Sequence, residues 1–499
     1  MAKDVSADLM QALIAKLYAT ITGDNPDIQL PRNKFVTWML PGLPFLPRDF
    51  MFCARGLIGD TAERTRELYH QAWTLSKLFD FIPDVSNQFL TDGMQQTIFA
   101  STQDSISSVY SDVLKYSKVL DLPLSDKEKE KLERFRKALI VTKEVEDFLT
   151  GEMKQVTEPG PLVLAYMSKM DEYCSAADEY MNLLIDAQSA KGNDSEAVRR
   201  VAAFANKSRF LRNRVQAAWM AWVSQGYKNE YEQVNAYIEQ VGQKSMVLYK
   251  NELLQDFRNA LLTSPQEGGA GDFYYTTIVP GNFANSAGWT RFTFYEQDYE
   301  NHYRKETSRW GGGGGVNLGL FSIGARASGS KVEIGSDQRA ANFRAELEFT
   351  QVPIIRPWFK PGFFAMRGWT LDKLWDLNYD KRVSDGGDGK SDGKPDGRLV
   401  AYPTSALFVR NVKFRSDQWQ SHMDYVNKQV SGGARVGWGP FSVGGSYAHG
   451  TEERNLQTHA EGGAVTIPGM QLIGFINNII PKSPNPNPEI RPEQFVGGG

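Results

Sequence analysis

Five histidines, two cysteines and one run of aspartates are the groups in this 499-residue chain best suited to chemistry. The histidines are His70, His302, His422, His449 and His459, and none stands in H-E-x-x-H or another close ligand spacing. His302 and His422 fall at equivalent places in a repeat set out below, each near an aromatic. Such a pair could share a metal or a proton, although a structural role is the plainer expectation. Cys53 and Cys174 form no metal or redox spacing, and so low a count fits a reducing compartment; a single bridge between them stays open. Asp385, Asp388, Asp392 and Asp396 alternate with Gly and Lys in SDGGDGKSDGKPDGR. Carboxylates among glycines offer a hard-cation loop, with calcium as the ion they would take. The EF-hand order is missing, so a solvated loop is the expected form. No other cofactor is expected.

Nucleotide and hydrolase signatures are absent. Gly311–Gly315 lacks the G-K-[ST] of a phosphate loop, and neither a G-x-S-x-G elbow nor a dinucleotide fingerprint occurs. A cleft between repeats carrying His302, His422 or paired carboxylates would be the enzyme reading; the missing motifs turn the expectation away from it.

Net charge is −3, which argues against a specific nucleic-acid binder. Locally, Arg199, Arg200, Lys207, Arg209, Arg212 and Arg214 make a basic run that reads either as a solvated face pairing with acidic helices or as a contact for an anionic surface. No stretch of 18 apolar residues exists, and the N-terminus reads as an amphipathic helix without signal-peptide features. The expected location is cytoplasmic, or outside after release without a classical signal. Phe35–Gly59 is the most apolar stretch. Pro41, Pro44 and Pro47 break a helix there, so it reads as a buried irregular connector, or as a loop that dips into a membrane or docks a partner.

Positioning elements follow from periodicity. Tyr166, Met170, Tyr173, Ala177, Tyr180 and Leu184 step by 4 and 3 along one helix face, and Leu211, Val215, Ala218 and Trp222 do the same on another. Long helices with short connectors predict an antiparallel bundle over 1–264. Beyond it, Gly and aromatic content rises, and one unit occurs twice, 120 residues apart. GGGGVNLGLFSIG from Gly312 lies over GGARVGWGPFSVG from Gly432, aligning Gly319 with Gly439, Leu318 with Trp438, and Phe321 with Phe441. The register holds upstream (Tyr299 over Trp419, His302 over His422) and downstream (Leu347 over Ile467, Gln351 over Gln471). Each unit reads as strand, helical stretch, β-hairpin, strand. The expectation is an α+β chain: bundle 1–264, β repeat 265–355, an aromatic insert with the Asp/Gly loop at 356–397, β repeat 398–480, and a Pro/Gly-rich tail 481–499.

Asn301-His302-Tyr303 followed by Gly311-Gly312 resembles the Y-G-T-H-[FY]…G-G signature of the perforin-like pore-forming family. The resemblance covers about a dozen residues and lacks the Tyr-Gly-Thr; it implies a membrane-active protein. Two functions therefore stand ahead of an enzyme. One is a non-enzymatic, self-associating or partner-binding protein that uses the seams, Phe321, Phe441 and the repeat aromatics as interfaces. The other is a soluble pore-former that oligomerises on membranes.

Overall fold

A computed structural model describes residues 5–22, 33–85, 89–91, 94–121, 126–146, 153–189, 195–263, 271–295, 298, 320–323, 343–387, 395–415, 427–428, 430, 435–449, 452–456, 458–461 and 464–497. The fold is mixed α and β with mainly antiparallel sheets. The chain forms two compact units, residues 1–119 with 252–499, and residues 120–251.

In the first unit, strands β1 (Lys34–Phe45), β2 (Phe89–Thr91), β3 (Met94–Ile98), β4 (Thr290–Tyr295), β6 (Arg344–Ile355), β7 (Ala401–Arg415) and β11 (Ala464–Ile479) belong to a nine-stranded sheet in the order β4-β6-β7-β11-β1-β3-β2. Two short strands complete it: Thr277–Ile278 beside β6 and His459–Glu461 beside β11. A second, four-stranded sheet contains β5 (Leu320–Ile323), β8 (Arg435–Trp438), β9 (Phe441–His449) and β10 (Glu452–Leu456), in the order β5-β8-β9-β10. The hairpin expected at Gly439-Pro440 is present as β8–β9.

Burial alternates along the long strands, as a sheet with one core face requires. In β6, Ala345, Leu347 and Phe349 are buried while Arg344, Glu346 and Glu348 are not. Helix α1 (Val5–Thr22) buries Leu9, Met10, Leu13, Ile14, Leu17 and Tyr18, a span wider than a surface helix has. It shares one core cluster with both sheets, including Phe292, Phe414, Trp438 and Phe441. Helices α2 (Ala62–Phe79) and α3 (Ile106–Tyr116) start where Thr61 and Ser105 accept amide bonds from Arg64 and Ser108.

Two features differ from the sequence reading. Helices and strands alternate in the first 119 residues, so a helical bundle does not fill that part of the chain. Phe35–Phe45 is also no irregular connector but most of β1, paired with β11 on one side and parallel to β3 on the other. Pro41 is tolerated because the β1–β11 register breaks between Trp38 and Leu43, where it owes no ladder donor, and Pro47 lies beyond the end of the strand.

The second unit carries α4 (Asp126–Leu139), α5 (Pro161–Ser189), α6 (Ser195–Ser224) and α7 (Lys228–Lys244). The aromatic seams face each other inside this unit. Tyr166 and Tyr173 of α5 lie 5.3 and 5.5 Å, centroid to centroid, from Trp222 of α6, and Tyr180 meets Phe204. Phe135 of α4 stands edge-on to Tyr237 of α7. Trp222→Ala is expected to cost about 3–5 kcal/mol, the usual range for a buried Trp truncation. Urea unfolding followed by far-ultraviolet dichroism measures it, and a loss under 1 kcal/mol would mean that this seam is not packed.

Candidate functional site

The strongest constellation is structural and lies where two long segments leave the sheet. Residues 296–343 join β4 to β6, and residues 416–463 join β7 to β11, 48 in each case. The four strand ends are consecutive partners: Tyr295 pairs with Arg344, Arg344 with Arg415, and Arg415 with Ala464. One residue inward, Phe294, Ala345, Phe414 and Val465 form the next row, and all four are fully buried. Both segments thus leave from one line across four adjacent antiparallel strands.

Parts of both segments fold back as the four-stranded sheet. β5, from the first, pairs with β8 of the second, with Ser322 opposite Val436. An aromatic cluster holds this sheet to the large one. Phe414 lies 4.9 Å from Trp438 and 5.2 Å from Phe441, and Phe343 lies 5.7 Å from Trp438. Offset and edge-on ring pairs of this kind add about 0.5–1.5 kcal/mol each beyond area burial.

Polar groups add specific ties. Ser442 N donates to Gln471 Oε1, and Gln471 Nε2 donates back to the Ser442 carbonyl, each at 2.8 Å. Ser442 Oγ donates to the Gly42 carbonyl at 2.6 Å, and Gly42 N donates to the Pro440 carbonyl at 2.9 Å. The broken register of β1 thereby turns backbone groups toward the β8–β9 turn. Gly439 holds that turn at φ +53°, and a Cβ there would stand 2.4 Å from Met10 Sδ of α1. Arg454 of β10 makes a two-point ion pair with buried Asp49 at 2.7 and 2.9 Å, and Asp49 Oδ2 also accepts Leu46 N. Lys16 of α1 donates to the Thr293 carbonyl and pairs with Asp298, both at 2.8 Å.

The sequence-predicted residues distribute unevenly. Trp438, Gly439 and Phe441 come together in this latch; Phe321 lies on β5, its backbone paired with Gly437. Gly319, Tyr299, Trp419, His302 and His422 lie outside the described residues, as do Asp388 and Asp392. Asp385 and Asp396 close a loop: the Asp385 carboxylate accepts Gly387 N and Asp396 N, and Asp396 pairs with Lys381. Among the described residues, no group of three or more His, Cys, Asp or Glu is placed to hold a metal. Arg199, Lys207, Arg209 and Arg212 are exposed on α6, while Arg214 pairs with Glu179. Asp49, Arg454 and Lys16 escaped the sequence reading because nothing local marks them; Asp49 and Arg454 are 405 positions apart.

Catalytic chemistry has less support. A cavity of about 440 Å³, whose lining includes Leu57, Tyr275, Pro357 and Lys360, holds one carboxylate, Asp256, 3.5 Å from Lys360 Nζ. Fully buried Arg356 donates to the Pro403 and Phe79 carbonyls, which ties the end of α2 to β7. Burial lowers its guanidinium to about 10 against the pull of Asp80, and burial raises Asp80 against hydrogen bonds from Ser107. Both cysteines are free thiols.

Asp49→Ala leaves the Arg454 guanidinium buried without its carboxylate and is expected to cost about 3–5 kcal/mol in chemical denaturation. An effect within 0.5 kcal/mol would show that the pair does not tie β10 down. Burial pushes the Cys53 thiol up to about 11, whereas Cys174 is exposed. At pH 8, Ellman's reagent is expected to titrate one thiol quickly and the second only on unfolding, and Cys174→Ser should abolish the fast phase. Two fast thiols would overturn the burial of Cys53. No protein-family model matches the chain, and comparison with curated proteins and with solved structures likewise gives no match.

Proposed function

We propose that this chain is a non-enzymatic, self-assembling protein whose assembly inserts β-hairpins into a membrane. The observation that carries the reading is the single line from which two segments of 48 residues leave four adjacent strands. Segments leaving at that line extend all four strands without a change of register if they straighten.

Their composition supports this. Residues 307–330 carry two charges, Arg309 and Arg326, and residues 429–451 carry one, Arg435. A membrane-crossing strand needs about 9–11 residues. A hairpin turning at Gly319-Leu320 or Gly439-Pro440 has ten residues on either side inside these low-charge windows. Val316 and Leu318 alternate with Gly315 and Asn317, as a wall with one lipid face and one wet face requires. The short folded strands β5 and β8 are then a stored form and not the limit of the hairpin's reach.

A duplication supports it too. The partners Tyr295–Arg344 recur as Arg415–Ala464, each member displaced by the offset of 120 found in the sequence, and Phe294, Phe414, Ala345 and Val465 share burial at matched positions. Two copies of a strand–insert–strand module place equal lengths of chain at the same end of one sheet. Assembly has an available edge, because among the described residues no strand pairs with the outer side of β4.

The test is release of dye from liposomes at micromolar protein, with oligomers scored by electron microscopy. Leakage with ring- or arc-shaped particles is expected, and its absence across neutral, anionic and sterol-containing vesicles would overturn the reading. A lock sharpens it. Ser322 and Val436 are direct cross-strand partners, at a spacing a disulfide bridges. S322C/V436C is expected to stop leakage when oxidised and to recover it on reduction; full leakage by the oxidised protein would exclude release of the inserts.

A further inference from the structure

We infer that α6 docks on an anionic lipid surface through its outward face. This deepens the membrane-inserting reading, and rests on it, by naming the surface the protein seeks. From Ala197 to Ser224 the helix carries six cations and no carboxylate. Its inner face is already used, with Leu211 and Trp222 buried and Trp222 against Tyr166 and Tyr173 of α5. What faces outward is mixed. Arg199, Lys207, Arg209 and Arg212 are exposed, and between them stand Val198, Val201, Phe210 and Met220, with Phe210 70% and Met220 58% exposed.

These apolar side chains are half or more exposed, whereas the bundle seam is carried by Leu211 and Trp222. Cations interleaved with exposed Phe, Met and Val are the composition of a helix lying in a membrane interface: the guanidinium groups meet phosphate and serine headgroups while the apolar side chains enter the acyl boundary. Nucleic acid would use the cations but leave Phe210 and Met220 in water. The Arg214–Glu179 pair takes one cation out of the face, and the contact falls on exposed Lys207, Arg209 and Arg212.

The experiment is flotation of the full-length protein with phosphatidylcholine vesicles with and without 30% phosphatidylserine, in parallel with dye release. Binding is expected with phosphatidylserine, weakening steadily with salt, and absent from pure phosphatidylcholine. R209E/R212E should lower the affinity by roughly tenfold or more, since each cation near such a surface contributes about fivefold. F210S should weaken binding and leave its salt dependence unchanged. Both positions are exposed, and dichroism checks that the fold is kept. Equal binding to both vesicle types, indifference to R209E/R212E, or tighter binding to duplex DNA with the same charge dependence would each overturn the inference. Binding without leakage would keep it and remove the pore reading; leakage from neutral vesicles by the R209E/R212E protein would do the reverse.

Discussion

Everything in the β unit depends on hydrogen-bond register across four strands. A sheet has a side-chain period of two, so a slip of one residue would send Phe294, Phe414, Ala345 and Val465 from the core to water. Burying two Phe side chains contributes roughly 3–6 kcal/mol, enough to fix the register strongly. That register puts both segments on one line. Had β6 and β7 paired one residue out of step, the segments would leave at different heights and on different faces, and no common extension of the strands would exist.

The latch on those segments has a different character. It is assembled from ring contacts, a reciprocal amide pair between Gln471 and Ser442, and one buried ion pair, Asp49–Arg454. The ion pair adds little net stability, because desolvation of both charges offsets their attraction. Its value lies in specificity, since either charge alone in that place is costly. Gly42 lets backbone approach backbone, and Gly439 leaves room for the Met10 side chain, where a Cβ would collide in either place. A sheet held this way is fixed in one arrangement by a few matched polar contacts added to the burial of Val436, Trp438, Phe441 and Val443 in the core.

The legible parts of the fold were those written in local period or in copy. The α5 and α6 seams show steps of 3 and 4, and their partners turned out to be each other. The β8–β9 turn was visible in Gly439-Pro440, and the 120-residue offset could be read without any structure. β1 was hidden because Pro41, Pro44 and Pro47 look like breakers; the break that admits Pro41 is a bulge of β1 itself between Trp38 and Leu43, and in sequence such a bulge looks the same as a loop. The helical reading of the first 119 residues failed for a related reason. Short runs such as Met94–Ile98, with only two apolar residues in five, carry too little periodicity to separate strand from helix until a neighbouring strand decides. Asp49 and Arg454 are ordinary surface types in sequence, and only the fold joins them.

Under the membrane-inserting proposal, glycine content would let the same segments take a stored and an extended form. Glycine in a strand costs roughly 0.5–1 kcal/mol relative to alanine through lost backbone freedom, so a Gly-rich hairpin does not hold itself together in water. Here, the held portion borrows its order from Phe343, Phe414 and Met10, which lie outside the low-charge windows. In a bilayer the balance changes, since every unpaired backbone group becomes costly and full strand pairing is the way to satisfy them. Moving the second segment would also uncover Val436, Trp438, Phe441 and Val443, which are buried in the core, so strand pairing in the bilayer has to outweigh that loss. A segment richer in Val and Ile would be more stable as a hairpin in water, and would for that reason pair with other copies before reaching a membrane.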